Sequence, residues 1–413
     1  MPIKISRYFL ILISIFILSI FLPKFYWMLF DVNVPSTSVF FSSLDNEFTF
    51  ISKGVYSDKD GNRMLRPDYE KKMPLRFYRQ LTLDNLMPDS IQNWEVDIKE
   101  LRRNQIYFKI NTSFYNKPEI QLFPLFESQS GRVNLENPAE YFRINKGMEF
   151  ITASTNSINE KLTGKFTEAL TKMGFQFPAK DIFGNPTTRK PFDEGYFVLD
   201  NNSEFYHIKM VKNKPFVRKI QVPDNVTIKS MKVLENNLKE FYGLVISEDN
   251  RFYFLSYDNY KFINMHSEMT NYDHTTDQLI ILCDVFHRTL IVNKDNGINA
   301  LVTDRNYDIV DQYSKTWETK YELIQGTISN ILFPFTTRMF SGKSYFSELS
   351  IRFSSMIIFF LNSILVLIIY MKNIYPGQRK EFTIMDYFDL LIVFFTGIYG
   401  FISVLVFNYK NKH

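Results

Sequence analysis

Three long apolar stretches dominate the hydrophobic pattern, one near the start of the chain and two near its end. A hydrocarbon core of about 30 Å needs roughly 20 helical residues. Residues 353–371 and 390–407 carry no charge. Residues 8–29 carry only Lys24, whose side chain can extend to the far membrane surface. Each stretch is predicted to be a transmembrane helix; for the first, the alternative is a cleaved signal peptide, although no small-residue cleavage site follows it.

Basic residues at the ends of these stretches predict how the chain crosses the membrane, because Lys and Arg near membrane ends are retained in the cytoplasm. They precede the first stretch and fill the connection between the last two, so both regions are predicted to be cytoplasmic. The large middle segment is then extracytoplasmic and, with three spans, the C-terminal tail is outside as well. The supporting residues are Lys4, Arg7, Lys372, Arg379 and Lys380, and the opposing ones are Arg352, Lys410 and Lys412.

Polar residues are few inside the predicted helices, and none of them is charged apart from Lys24. Asn362 lies in the second stretch, and Gly397 and Gly400 lie in the third. Small residues let a neighbouring helix approach closely, so the two glycines indicate a packing face rather than a pore. Since ion and proton pathways usually need charged groups, these helices alone are a poor candidate for a transporter.

Between the apolar stretches, short alternating and aromatic runs are broken by Asn, Asp, Gly and Pro, which indicates strands and turns. Helices are predicted only over 67–86 and 159–173, the second with apolar residues on one face. The predicted domains are therefore an N-terminal transmembrane helix, a β-rich extracytoplasmic domain and a C-terminal helical hairpin. Their ranges are 1–30, 31–349 and 350–413.

Self-similarity within the β-rich domain predicts its architecture. Three similar segments start at Tyr196, Tyr242 and Arg288, 46 residues apart each time, and each contains β-runs around a polar turn rich in Asp and Asn. Degenerate copies begin at Val39 and Glu119, which makes five to seven units. A period in the forties with three or four strands per unit is typical of β-propeller blades. A propeller-like domain is predicted, with an irregular β-sandwich or two small β domains as the alternative.

Charge and cysteine content narrow the possible partners. With 48 basic and 44 acidic residues the formal net charge is only +4, so no nucleic-acid partner is expected. The single cysteine, Cys283, lies in an apolar run, which favours a small buried hydrophobe over a reactive thiol. One thiol cannot form an internal disulfide.

Two polar segments are the candidates for a metal site. His266 and His274 lie near acidic residues on a probable loop, and imidazole with carboxylate suits zinc or copper. No paired-ligand motif accompanies them, so a solvated turn is favoured. The segment from Asp58 through Gly61 is similar to a calcium loop but lacks the later glutamate, which again favours a turn. The acidic residues near the histidines are Glu268, Asp273 and Asp277.

Catalytic motifs are absent from the sequence. No phosphate-cradling GxxxxGK[ST], no GxGxxG after a strand and no GxSxG elbow occurs. The sequence therefore predicts no catalytic, cofactor-binding or metal-binding residues and no cofactor, and the protein is predicted not to be an enzyme.

Residues 4–30, residues 58–91 and the closing apolar hairpin together resemble an uncharacterised family of bacterial inner-membrane proteins, known as a domain of unknown function. The resemblance extends over nearly the whole chain. It implies a gene neighbourhood that often includes ABC transporter components, and it implies no catalytic residues.

The expected function is that of a non-enzymatic, multi-pass protein of the bacterial inner membrane. Its N-terminus is expected in the cytoplasm and its large domain in the periplasm. The external β domain would bind a protein or ligand, while the helices associate with a transporter complex, possibly of the ABC type. The alternatives are a membrane-anchored sensor and a membrane-anchored hydrolase. Short cytoplasmic segments disfavour the sensor, because they are too small to fold alone.

Overall fold

The computed structural model describes residues 2–32, 37–115, 120–338, 349–354, 358–374 and 383–407. The chain divides into two compact units. Residues 1–36 and 316–413 belong to a helical unit, and residues 37–315 belong to a β unit. The sequence-based boundaries at residues 30 and 349 stay predictions of where the chain meets the membrane.

The described residues form nine α-helices, of which α1 is by far the longest. Within α1, the segment Ile5–Leu29 is the one described helix that is long and apolar enough to cross a membrane, by length and composition. The nine helices are α1 Pro2–Leu29, α2 Arg66–Lys72, α3 Pro74–Leu83, α4 Ile98–Asn104, α5 Glu160–Lys172, α6 Ile324–Leu332, α7 Ile358–Ile374, α8 Ile384–Thr396 and α9 Ile398–Val406.

The prediction of two C-terminal transmembrane helices is not confirmed. The stretch 353–371 starts at the end of a β-strand, and the helix that follows, α7, has 17 residues, with its apolar part at Phe360–Met371. The stretch 390–407 is not one helix, because Gly397 separates α8 from α9. Gly397 has a φ of 56° and a ψ of −129°, a conformation that only glycine adopts without strain.

The strands are short and nearly all belong to consecutive antiparallel meanders. They are β1 Thr37–Ser42, β2 Glu47–Ser52, β3 Val55–Ser57, β4 Arg63–Met64, β5 Ser90–Ile91, β6 Trp94–Glu95, β7 Ile106–Ile110, β8 Phe123–Pro124, β9 Glu140–Ile144, β10 Met148–Thr152, β11 Ser157–Ile158, β12 Asp181–Gly184, β13 Tyr196–Leu199, β14 Phe205–Val211, β15 Lys214–Ile220, β16 Ile228–Val233, β17 Phe241–Ser247, β18 Phe252–Ser256, β19 Phe262–Asn264, β20 Gln278–Cys283, β21 Arg288–Lys294, β22 Gly297–Thr303, β23 Ile309–Thr316, β24 Phe335–Arg338 and β25 Ser350–Phe353.

Five sheets of the β unit repeat the same plan, in which four consecutive strands pair in chain order. Sheets 1 to 5 contain β1–β4, β8–β11, β12–β15, β16–β19 and β20–β23, and β7 pairs with β20 as a fifth strand of sheet 5. The predicted repeat starts occupy equivalent places, because Tyr196, Tyr242 and Arg288 each lie in the second strand of a meander. The internal repetition in the sequence is thus a repetition of sheets.

Successive sheets share apolar cores. Sheets 2 and 3, 3 and 4, and 4 and 5 are joined by separate clusters of buried side chains, and sheet 1 contacts sheet 5 through ring contacts with Tyr313 and His287. Representative pairs across the three clusters are Phe142 with Tyr196, Phe197 with Tyr242, and Leu244 with Leu279. Each sheet therefore depends on its neighbours for burial.

The β unit is mainly β, as predicted, but the finer propeller prediction is not established. No closed barrel or propeller is found among the residues that the structure describes. Between sheets 1 and 2 the chain inserts α2, α3 and α4, together with β7, which pairs with sheet 5 rather than with either flanking sheet. Residues 116–119, which include the predicted start at Glu119, lie outside the described residues.

Both predicted helical segments are helical. The segment 159–173 corresponds to α5, which begins after Asn159, whose side chain accepts a hydrogen bond from the Leu162 N–H at 3.1 Å. The segment 67–86 forms α2 and α3, which are separated at Met73 because proline at position 74 favours an extended residue before it and a new helix start after it.

The Asp-rich turns recur for a local reason. Asp58, Asp200 and Asp304 each accept hydrogen bonds from the backbone N–H groups two and four residues later. Such Asx turns satisfy backbone donors at a strand reversal. The Asp and Asn periodicity in the sequence therefore reports turns between strands.

The ion pair between Arg288 of sheet 5 and Glu240, which precedes β17 of sheet 4, is predicted to stabilise the β unit. The Arg288 side chain is fully buried and pairs with Glu240, which also accepts a hydrogen bond from the Tyr307 hydroxyl. Arg288→Met removes the cation and leaves the Glu240 carboxylate unpaired, which should lower the free energy of unfolding by about 3–5 kcal/mol. Denaturant unfolding of the detergent-solubilised chain, followed by tryptophan fluorescence, measures this.

The matched control is Arg251→Met. Arg251 pairs with Asp249 on the surface, where both side chains are about half exposed, so its loss should cost less than about 1 kcal/mol. Equal losses for the two variants would contradict the importance of the Arg288 pair.

Candidate functional site

A candidate site is a cavity of about 630 Å³ inside the β unit. It lies between β1 of sheet 1 and the face of sheet 5 formed by β7, β20 and β21, with the start of α3 as a further wall. Its size is within the range of pockets that hold small molecules. The cavity exists because sheet 1 packs against only part of this face.

Most of the lining is apolar, and Phe40, Leu75, Ile106, Leu282 and Ile291 form much of the apolar wall. Arg76 is the cationic side chain of the lining and Asp284 is the anionic one. The neutral polar residues of the lining are Ser38, Ser43, Gln105, Thr289 and Asn293. A ligand that fills the cavity would therefore contact one cationic side chain and a mainly apolar wall.

Arg76 is the cationic group of this cavity. Its guanidinium carbon lies 3.7 Å from the centroid of the Phe40 ring, a cation–π contact. None of the ion pairs found among the described residues includes Arg76. Desolvation lowers the pKa of the Arg76 guanidinium, but an arginine side chain stays charged at neutral pH. A charge without a carboxylate partner at a cavity wall is suited to an anionic ligand.

A polar cluster formed by Ser43, Asp284 and His287 joins sheet 1 to sheet 5. The Ser43 hydroxyl lies 2.9 Å from Asp284 Oδ2 and 2.9 Å from His287 Nδ1. Asp284 Oδ1 accepts hydrogen bonds from the Phe286 and His287 N–H groups at 2.8 Å, which fixes the turn between β20 and β21. Burial lowers the pKa of His287, so its ring is neutral at pH 7.

The geometry of this cluster argues against a catalytic triad. An ionised carboxylate only accepts, so the Ser43 proton belongs to Asp284 and the Ser43 oxygen accepts from His287 Nδ1–H. His287 Nδ1 also lies 4.0 Å from Asp284 Oδ1, beyond hydrogen-bonding distance. The histidine thus lies beside the other two residues rather than between them, an arrangement unlike that of a serine–histidine–aspartate triad.

The predicted metal candidates are not brought together. His266 Nδ1 lies 3.9 Å from Glu268, whereas His274 Nδ1 contacts the Asn250 side chain at 2.8 Å. Asp273 and Asp277 accept hydrogen bonds from neighbouring N–H and hydroxyl groups. In the part of the chain that the structure describes, no group of three His, Cys, Asp or Glu residues could hold a metal ion.

Asp58 and Cys283 lie in environments that indicate a role in the fold. The Asp58 carboxylate accepts from the Asn62 side chain as well as from the backbone of its own turn. These hydrogen bonds hold its pKa below the usual range. Cys283 is buried in the core between sheets 4 and 5, and burial raises the pKa of its thiol to about 12.

His207 is the most deeply buried histidine and stands between sheets 3 and 4. Its ring stacks on Phe197, with the centroids 4.3 Å apart. Nε2 donates to the carbonyl oxygen of Glu194, so Nδ1 accepts from the Tyr260 hydroxyl at 2.8 Å. Burial lowers the pKa of His207 to about 3. Both ring nitrogens are occupied, which indicates a structural role.

A buried charge cluster lies between the connection from β12 to β13 of sheet 3 and Glu235, which follows β16 of sheet 4. The Lys190 ammonium contacts Asp193 and Glu235 at 2.5 and 2.7 Å, and all three side chains are almost fully buried. Burial, together with a second carboxylate that shares the one cation, raises the pKa of Asp193 to about 6. The cluster satisfies its own members and presents no free group.

This geometry defines the class of protein: a mainly β domain with a cavity that is large enough for a small ligand and is lined by one cation. Residues 38–303 match the family model of a domain of unknown function, DUF4857, which covers more than half of the chain. The chain belongs to this family. Among curated proteins, no sequence matches the chain. The matched range lies within the β unit, so the family assignment extends to that unit.

The functional candidates that sequence reasoning missed come from distant parts of the chain. Arg76, Ser43 and Asp284 are separated by up to 241 residues and share no motif. Arg76 lies in the middle of the predicted helical segment 67–86, where no motif marks it as a ligand-binding residue. Only the packing of sheet 1 on sheet 5 places these residues around one cavity.

Burial of His207 predicts a pH dependence of stability. The histidine is neutral in the folded state at pH values above about 3 but titrates near 6.5 when unfolded, so the unfolded state binds more protons between these values. The contribution of His207 to the free energy of unfolding is therefore complete above about pH 6.5 and is lost as the pH falls below that value. From pH 7 to pH 5, the natural chain should lose about 2 kcal/mol more of its unfolding free energy than the His207→Gln variant.

The control for this prediction is Tyr260→Phe, which removes the hydroxyl at Nδ1 but keeps the buried imidazole. This variant should be less stable at every pH yet retain the pH dependence of the natural chain. Identical pH profiles for the natural chain and His207→Gln would show that His207 is not the group responsible.

Proposed function

We propose that this protein is a membrane-anchored binding protein whose β unit binds an amphipathic anion, with its apolar body in the cavity and its anionic group at Arg76. The observation that carries the proposal is the cavity itself, with its guanidinium outside every described ion pair. In this proposal the five sheets act as an open, propeller-like array. The proposal is one of binding without catalysis, because in the cluster of Ser43, His287 and Asp284, among the described residues, the histidine does not lie between the other two side chains.

Membrane anchoring is supported by the distribution of side chains in the helical unit. Large apolar residues point outward from α1 and α7, among them Phe9, Phe21 and Phe360. Polar side chains are buried instead, as Ser19 and Asn362 are. This is the reverse of a water-soluble protein, where a contiguous apolar surface of this kind is unstable. In lipid, the apolar surface is solvated and polar groups pair internally.

Orientation and partner are further parts of the proposal. The basic residues Lys4 and Arg7, in the first two turns of α1, support a cytoplasmic N-terminus in a bacterial inner membrane and a periplasmic β unit. The described helices have no charged side chain midway along their apolar parts, so they are poorly suited to conduct ions by themselves. We therefore propose that they associate with the membrane helices of a transporter, with the ABC type as the first candidate.

The ligand prediction is tested with small amphipathic anions. Calorimetric titration of the purified chain should show binding of hexanoate and phenyl phosphate, and weaker binding of hexanamide and phenol, which lack the charge. Arg76→Gln should weaken binding of the anions about tenfold or more, since it removes a charge-assisted hydrogen bond worth about 1.5–3 kcal/mol. Binding of the neutral analogues should change little.

Arg79→Gln is the matched control for this titration. Arg79 lies one turn further along α3, contacts the Tyr78 hydroxyl at 3.0 Å and does not line the cavity. It should bind the anions as the natural chain does. Failure of the natural chain to bind either anion, or equal affinity in Arg76→Gln, would contradict the proposed site.

The anchoring prediction is tested by extraction. After a carbonate wash and ultracentrifugation, the chain should remain in the membrane pellet, because the apolar surface of α1 is more stable in lipid than in water. Purification in mild detergent should then recover transporter subunits in stoichiometric amounts. A chain that appears in the supernatant contradicts anchoring, whereas a pelleted chain that elutes alone contradicts only the proposed partner.

A further inference from the structure

We propose that residues 383–407 form a re-entrant helical hairpin, which enters the bilayer from the side of Arg7, reverses at Gly397 and leaves the bilayer on that same side. This inference rests on the proposed membrane anchoring and departs from the three-span topology that the sequence predicts. Its partner is the lipid of one leaflet.

The side chain of Arg7 carries the main observation, because it holds both ends of the segment. Nη1 and Nη2 donate to the two carboxylate oxygens of Asp389 at 2.9 and 2.8 Å, and Nε donates to the carbonyl oxygen of Phe407 at 2.7 Å. Asp389 and Phe407 are 18 residues apart, which is about 27 Å along a continuous helix. One guanidinium cannot span that distance, so the segment folds back on itself.

Gly397 provides the reversal. Its φ of 56° suits glycine, and an added Cβ atom would overlap the side chain of Asn362. Asn362 in turn donates to the carbonyl oxygen of Phe394 at 2.9 Å, in the last turn of α8. Lipid cannot supply such a partner, so a helix that ends inside the hydrocarbon needs a protein donor of this kind.

Contacts along α1 show that the two arms run in opposite directions. Near the start of α1, the Tyr8 hydroxyl contacts the Met385 carbonyl oxygen at 3.3 Å, close to the start of α8. One to two turns beyond Arg7, the Ser14 hydroxyl lies 2.9 Å from that of Ser403. Since Phe407 is level with Arg7 and Ser403 is level with Ser14, α9 runs antiparallel to α1.

The lengths of the arms agree with partial penetration. Helix α8 has 13 residues and α9 has 9, which correspond to about 20 and 14 Å. Neither arm reaches across a hydrocarbon core of about 30 Å. Both arms are exposed on their apolar faces, as Leu391 and Val406 are.

The charge distribution is simpler with this hairpin than with a third span. Lys410 and Lys412 follow Phe407 by three and five residues in the sequence, so the proposed hairpin topology assigns them to the side of Arg7. In the three-span topology these two lysines oppose the positive-inside rule. In the hairpin topology they support the same orientation as Lys4 and Arg7.

Cysteine accessibility tests the hairpin directly. Single cysteines replace Ile384, Val406 and Asp31, three exposed positions at the start of α8, the end of α9 and just beyond the far end of α1. Each variant of the full chain is labelled with a membrane-impermeant maleimide in spheroplasts, before and after permeabilisation. The natural chain, whose only thiol is the buried Cys283, supplies the background.

We expect Ile384→Cys and Val406→Cys to behave alike and Asp31→Cys to behave oppositely. With a cytoplasmic N-terminus, the first two label only after permeabilisation and the third labels in intact spheroplasts; an inverted orientation exchanges the classes but keeps the pairing. If Val406→Cys labels under the same conditions as Asp31→Cys while the protein resists carbonate extraction, the hairpin is overturned and the anchoring is not. Protein that carbonate releases from the membrane overturns the anchoring as well.

Discussion

Burial of both faces is the constraint on which the β unit depends. Strand β17 is buried at all seven positions and β18 at all five, so sheet 4 has no face suited to water. A sheet of this composition is unstable alone, and it is stabilised only when neighbouring sheets cover both faces. This explains why similar strands recur every 46 residues and why the three shared cores lie between successive sheets.

The candidate site follows from the place where this packing is incomplete. Sheet 1 contacts sheet 5 through Phe41, Ser43 and Tyr313, but it leaves the β7, β20 and β21 surface partly uncovered. The Ser43, Asp284 and His287 hydrogen bonds hold the two sheets together at one edge of the gap. Arg76, supplied by the helices inserted after sheet 1, provides the cation at the other edge. The inserted helices thus contribute the cationic side chain of the cavity.

The helical unit follows the opposite rule. Many of its outward residues are large and apolar, while Ser19, Asn362 and the Arg7–Asp389 pair are buried and hydrogen-bonded within the unit. The Arg7 and Asp389 pair illustrates the consequence, because two charges that are costly to bury singly become acceptable as a bidentate pair with a further backbone acceptor. Such pairing is specific, and it fixes which segments of the unit lie side by side.

The sequence by itself determined the classes of structure: a mainly β domain, a long apolar helix at Ile5–Leu29 and the equivalence of the repeats at Tyr196, Tyr242 and Arg288. These depend on local periodicity, which a single stretch of chain carries. Tertiary structure alone decided that residues 390–407 are two helices and that Arg76, Ser43 and Asp284 surround one cavity. An uncharged run of 18 residues has the same apolar pattern whether it is straight or folded back. The difference lies in contacts with Arg7 and Asn362, which are remote in sequence.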